Sequence, residues 1–95
     1  MRRIGRVDDN QPEIVAALRR AGASVAMMHM IGHGLPDILV GFRGVNYVFE
    51  IKDASKPLSC RKLTDEEREW HLMWRGQVAV IETAEQAMQI MGLLE

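Results

Sequence analysis

Asp37, Glu50 and Lys52 are the residues of this chain whose types and spacing could do chemistry. They sit at the edges of two apolar runs, 36–42 and 45–52, rich in Val, Ile, Phe and Tyr and separated by Arg43-Gly44, which is a hairpin signal. With the turn centred between Arg43 and Gly44, Phe42 faces Val45, Val40 faces Tyr47 and Asp37 faces Glu50; an odd-length loop would shift this register by one. Strand side chains alternate, so Asp37, Leu39, Val48, Glu50 and Lys52 share a face, and Ile38, Val40, Tyr47, Phe49 and Ile51 form the other. Both faces are largely apolar, which predicts strands covered on both sides. Two carboxylates opposed at about 4.5–5.5 Å between Cβ atoms repel, and desolvation makes this worse. A divalent cation would remove the conflict. Mg²⁺ takes oxygen ligands at about 2.0–2.1 Å and usually keeps several waters, so two carboxylates suit it. The backbone carbonyl of Ile51 could supply a further oxygen.

Lys52 gives the pair a chemical use. It lies two residues beyond Glu50, on the same face, and could orient a water on the metal while offsetting the charge of a phosphate. A metal there would polarise a phosphorus–oxygen bond and lower the pKa of that water, which points to phosphodiester hydrolysis. The bland alternative is that Asp37 follows Pro36 in a solvated turn and that Glu50 and Lys52 are an exposed ion pair of little worth.

The elements that must position these residues alternate along the chain. Pro12 suits the first turn of a helix, with Asn10 or Gln11 as its cap; Ile14, Ala17, Leu18 and Ala21 recur at helical spacing, and Gly22 ends the segment. Residues 23–30 read as a strand, and Gly32-His33-Gly34 as a break. After the hairpin, 53–62 is polar, contains Pro57 and reads as a loop. Thr64 followed by Glu67 is the capping-box pattern for a helix running to about Arg75. Residues 77–82 read as a short strand, and Thr83 caps a last helix carrying Ala87, Ile90, Met91 and Leu94 on one side. The order α-β-β-β-α-β-α predicts an α/β (α+β) fold with a mixed four-stranded sheet flanked by helices.

Composition sets bounds. Ninety-five residues, 47% apolar and 26% charged, make a single domain, 1–95, of ordinary globular character. Such a chain buries only about 60–65% of its unfolded surface, so a partner copy would add stability. No apolar run approaches the roughly 18 residues that span a bilayer. Met1-Arg2-Arg3 leads into Asp8-Asp9-Asn10 rather than a signal segment, and with Cys60 as the lone cysteine a cytoplasmic setting is expected. The net charge of −1 conceals a division: residues 1–62 hold ten Lys/Arg against six Asp/Glu, and residues 63–95 two against seven. Solvated faces that happen to segregate would explain this, and so would a local basic surface. Lys56, Arg61 and Lys62, just beyond Lys52, are candidate DNA-backbone contacts, and Arg2, Arg3 and Arg6 could make residues 1–9 a flexible basic arm.

Gly34-Leu35-Pro36-Asp37, Phe49-Glu50-Ile51-Lys52 and Leu63-Thr64-Asp65-Glu66-Glu67, in this order, resemble the virus-type replication-repair nuclease (VRR-NUC) domain of the PD-(D/E)xK superfamily. The resemblance spans roughly residues 10–85. It implies a restriction-endonuclease-like core and a Mg²⁺- or Mn²⁺-dependent DNA endonuclease of the kind found in phages, often a homodimer, similar in fold to Holliday-junction resolvases. By position, it implies that Asp37, Glu50 and the Ile51 carbonyl bind metal, that Lys52 is the catalytic lysine, and that Glu13 is the added acid of the first helix. The family commonly has a glutamine where this chain has Glu67, which is left outside the core site.

Other residues carry weaker signals. His29 and His33 mimic a zinc pair but straddle a break, with no cysteine set to help. Trp70, Met73 and Trp74 recur at helical spacing, usually a core stripe, otherwise a dimer surface or a stacking platform for an unpaired base. The reading is thus of an endonuclease cutting branched or structured DNA, Holliday-junction-like or flap, with no organic cofactor and no membrane. The alternative is a catalytically silent DNA-binding or assembly module on the same fold.

Overall fold

The computed structural model describes residues 8–94. The basic arm expected from Arg2, Arg3 and Arg6 lies outside the described residues. The element order is α1 (Gln11–Arg20), β1 (Ser24–Met27), β2 (Ile38–Phe42), β3 (Val45–Ile51), α2 (Leu58–Arg61), α3 (Asp65–Met73), β4 (Ala79–Ile81) and α4 (Ala84–Ile90). Apart from the four-residue helix α2, which forms inside the segment expected to be a loop, this is the predicted α-β-β-β-α-β-α order.

The four strands form one mixed sheet in the order β1-β2-β3-β4. β1 and β2 pair antiparallel, as do β2 and β3, whereas β4 returns through α3 to lie parallel to β3. The hairpin register is the expected one, with Phe42 opposite Val45 and Val40 opposite Tyr47. Arg43 (φ 51) and Gly44 (φ 81) both adopt left-handed backbone. Two such residues match the right-handed twist of the flanking strands, so the loop stays at two residues and holds the register. β1 is shorter than predicted. The Met28 amide donates to the Asp37 carbonyl and Ile31 then turns back on Met28, so the chain leaves the sheet where a longer strand was expected.

One face of the sheet carries the core. Ile38, Val40, Phe42, Phe49, Ile51 and Ile81 pack with Ile14, Val15 and Leu18 of α1 and with Ala84, Ala87 and Met91 at α4. Helical periodicity places α1 correctly: its apolar stripe meets the sheet while Glu13, Arg19 and Arg20 face solvent. Gln11 is also fully buried on this helix, and its side-chain amide meets no protein partner among the described residues.

The second face departs from expectation. Its apolar pattern predicts cover, yet Leu39 and Val80 are 36% and 44% exposed. The helix on that side is too polar to cover it. α3 buries no residue fully, Met73 and Trp74 are exposed, and Trp70 and Trp74 stack on each other with ring centroids 4.7 Å apart instead of entering a core.

Candidate active site

Asp37, Glu50 and Lys52 converge at the C-terminal end of β3, on the open side of the sheet. All three are buried, at 8%, 3% and 7% exposure. The regular β2–β3 ladder ends at Ile38 opposite Phe49, one pair short of the predicted Asp37–Glu50 pair. Asp37 instead bends toward β3. Its backbone N–H donates to the Phe49 carbonyl at 3.1 Å, and its Oδ2 accepts the Ile51 N–H at 2.7 Å. The side chain thus occupies the place of a strand carbonyl, which sets its carboxyl group beside that of Glu50. In an extended strand the N–H and C=O of one residue point to the same edge, so the Ile51 carbonyl is directed to the side where Asp37 lies.

The electrostatics are those of an acid pair out of water. Burial raises the Asp37 pKa; the neighbouring Glu50 carboxyl and the Ile51 N–H oppose this. Glu50 is pushed up to about 10, by burial first and then by the charge of Asp37 and the bond to it. With both groups ionised, Glu50 Oε1 is a buried oxygen with no donor. Either one proton or a cation must bridge the pair. Two carboxylates, one of them carrying the orphaned Glu50 Oε1, and a strand carbonyl are the donors that a hard cation such as Mg²⁺ takes, with waters completing its shell. Among the described residues, no group of three or more His, Cys, Asp or Glu could hold a metal ion by itself.

Lys52 lies 3.8 Å from Glu50 Oε2 and donates to Glu67 Oε1 at 2.8 Å. Burial would depress its pKa, but the hydrogen bond and charge of Glu67, with Glu50 and Asp8 behind them, outweigh this and raise it. Lys52 is therefore an ammonium. Glu67 moves the opposite way: burial would raise its pKa, and Lys52 together with the Thr64 N–H lowers it. Glu67, outside the site expected from the sequence, is brought onto Lys52 by the fold. The capping box was correctly predicted, with Thr64 Oγ1 accepting the Glu67 N–H and Glu67 accepting the Thr64 N–H. The same oxygen serves both roles, since a carboxylate oxygen has lone pairs for two donors.

Glu13, expected to be the acid from the first helix, is exposed on α1, because the helix buries Gln11, Ile14, Val15 and Leu18 instead. The acid that does come near is Asp8, just before the helix. Burial raises its pKa, Lys52 opposes this, and Asp37, Asp53 and Glu67 add to the rise. No periodicity marks Asp8, so only the path of the chain into α1 reveals it. Asn10 takes the predicted N-cap position but makes no capping bond. Its amide donates to the Lys52 and Glu82 carbonyls, at 3.0 and 3.1 Å, and so ties α1 to the strand ends behind the site.

The candidate DNA contacts differ in availability. Lys56 is paired with Asp9 at 2.8 Å, Arg61 lies 4.0 Å from Glu82, and Lys62 is exposed with no ion pair among the described residues. His29 and His33 lie in the turn after β1, where His33 takes left-handed backbone (φ 59). No described helix is long and apolar enough to cross a membrane. Compared with known proteins, the chain matches no family model, no curated protein and no solved structure.

Proposed function

We propose that this protein is a metal-dependent DNA endonuclease of the VRR-NUC type, hydrolysing phosphodiester bonds in branched or structured DNA. The observation that carries the reading is the buried Asp37–Glu50 carboxyl pair with the Lys52 ammonium beside it. A structural role alone gives no reason to desolvate two acids against each other, since such a pair destabilises the fold unless bridged.

Asp37, Glu50 and the Ile51 carbonyl would hold Mg²⁺ or Mn²⁺, which when bound supplies Lewis acidity at the phosphate. Lys52 supplies a fixed positive charge where the phosphate's negative charge grows in the transition state. Because Lys52 is buried and doubly paired with acids, that charge is preorganised rather than recruited from solvent. Lys62 and Arg61 would contact the DNA backbone and give binding its salt dependence without reading bases. The open sheet face bearing Leu39 and Val80 is compatible with a second copy, and two sites related by a two-fold axis would cut opposing strands symmetrically.

The test is cleavage of a panel of four-way junction, flap and linear duplex DNA with Mg²⁺ or Mn²⁺, by wild-type protein and Lys52→Ala. The reading expects cutting of branched substrates that the variant loses. Salt-sensitive binding without cutting by either protein would instead identify a catalytically silent DNA-binding module.

A further inference from the structure

We infer that Glu67 is the positioning residue for Lys52, coupling the lysine to the N-terminus of α3; the inference deepens the nuclease reading and rests on it for its catalytic part. One oxygen, Glu67 Oε1, accepts from Lys52 Nζ and from the Thr64 N–H, each at 2.8 Å. The second bond belongs to the capping box, so the carboxylate cannot rotate without breaking one side of that cap. The first turn of α3 is itself held from outside. Gly34, three residues before Asp37, passes so close that a Cβ there would clash with the Glu66 carbonyl oxygen. The loop leading to Asp37, the first turn of α3 and the Lys52 side chain are thus locked in sequence. Glu50, at 3.8 Å, is the weaker of the two holds on the ammonium. Cation binding at Asp37 and Glu50 would draw on Glu50's charge and leave Glu67 as the anchor. Glutamine at this position could keep the bond to the Thr64 N–H but would offer Lys52 no charge.

The chain has three lysines, 52, 56 and 62, so reductive methylation with ¹³C-formaldehyde and NMR detection reads each separately. The proteins are wild type, Glu67→Gln and, as a control for cap stability, Thr64→Ala. Lys52, whose side chain is 9% exposed against 41% for Lys56, is expected to be protected in wild type, to lose that protection in Glu67→Gln, and to lose only part of it in Thr64→Ala, which keeps the backbone N–H bond to Glu67 but drops the hydroxyl side of the cap. On a cleavable junction or flap, kcat is expected to fall on the order of 10–100-fold in Glu67→Gln with little change in KM, and to fall clearly less in Thr64→Ala. Restoring the carboxylate one methylene shorter, in Glu67→Asp, is expected to recover part of the protection and part of kcat. Equal Lys52 protection in wild type and Glu67→Gln overturns the inference, whatever the cleavage result. So does a Glu67→Gln kcat equal to wild type, or a loss no larger than that of Thr64→Ala. Wild-type protein that protects Lys52 through Glu67 yet cuts no DNA supports the contact and overturns the nuclease reading.

Discussion

Asp37 Oδ2 accepts the Ile51 backbone N–H at 2.7 Å, so a side chain of one strand's lead-in completes the hydrogen bonding of its neighbour. That bond pins one carboxylate against Glu50 at the point where the regular ladder stops. It makes the acid pair a consequence of the sheet rather than of flexible side chains.

The pair makes stability depend on pH in a stated direction. Glu50 has its folded pKa raised from 4.5 to about 10, so the folded state holds a proton that the unfolded chain releases. Stability is full below the unfolded value and falls as pH rises through that window. In thermal melts without metal, Tm is expected to drop between about pH 6 and pH 8.5, and the drop to flatten in Glu50→Gln. Mg²⁺ should raise Tm in wild type, more at the higher pH, and leave Glu50→Gln unmoved. A metal-induced rise of equal size in that variant would put the cation elsewhere.

Removing the ammonium should separate chemistry from binding. Lys52→Ala is expected to reduce cleavage by on the order of 100–1000-fold, the loss seen when one preorganised charge partner of a transition state is removed. Affinity for uncut DNA, measured by fluorescence anisotropy in Ca²⁺, should change only a few-fold. Comparable losses in both would assign Lys52 to the binding surface instead.

Gly34→Ala tests the seat of α3. The new Cβ would meet the Glu66 carbonyl, and φ of +78 is strained for any side chain. Urea denaturation should show a loss of about 1–3 kcal/mol. A variant as stable as wild type would mean that the first turn of α3 gives way freely.

Asn10→Ala removes two hydrogen bonds to the Lys52 and Glu82 carbonyls and no helix cap. The expected cost is about 1–3 kcal/mol, read by the same denaturation. Because those bonds hold the backbone of Lys52, the nuclease reading expects cleavage to fall further than stability accounts for. Activity that simply tracks the folded fraction would refute that link.

Lys62 and Lys56 should not contribute equally to DNA binding. Lys62 is exposed and has no ion pair among the described residues, whereas Lys56 is paired with Asp9. Lys62→Gln is expected to lower the slope of log K against log salt by about one, and Lys56→Gln by less. The reverse order, measured by salt titration of binding, would show that the Asp9 pair opens on DNA.

Much of the fold was legible because local rules and global packing agree. Arg43-Gly44 specifies a two-residue turn, the turn sets the register, and period-two alternation assigns each strand residue its face. Thr64 with Glu67, and Thr83 before Ala84, mark helix starts through short-range hydrogen bonds that need no tertiary context. By the same logic the sequence determined that Glu50 and Lys52 share a face and that Asp37 lies near them. Only the tertiary structure decided which further groups join. Glu67 reaches Lys52 across fifteen residues because α3 is seated against Gly34, and Asp8 approaches, rather than Glu13, because α1 turns its third residue to water. The openness of the second sheet face was also undecided locally, since an apolar strand pattern records what a face would bury and not whether any helix arrives to bury it. Long-range placement of that kind depends on how whole elements pack, and no periodicity within one segment encodes it.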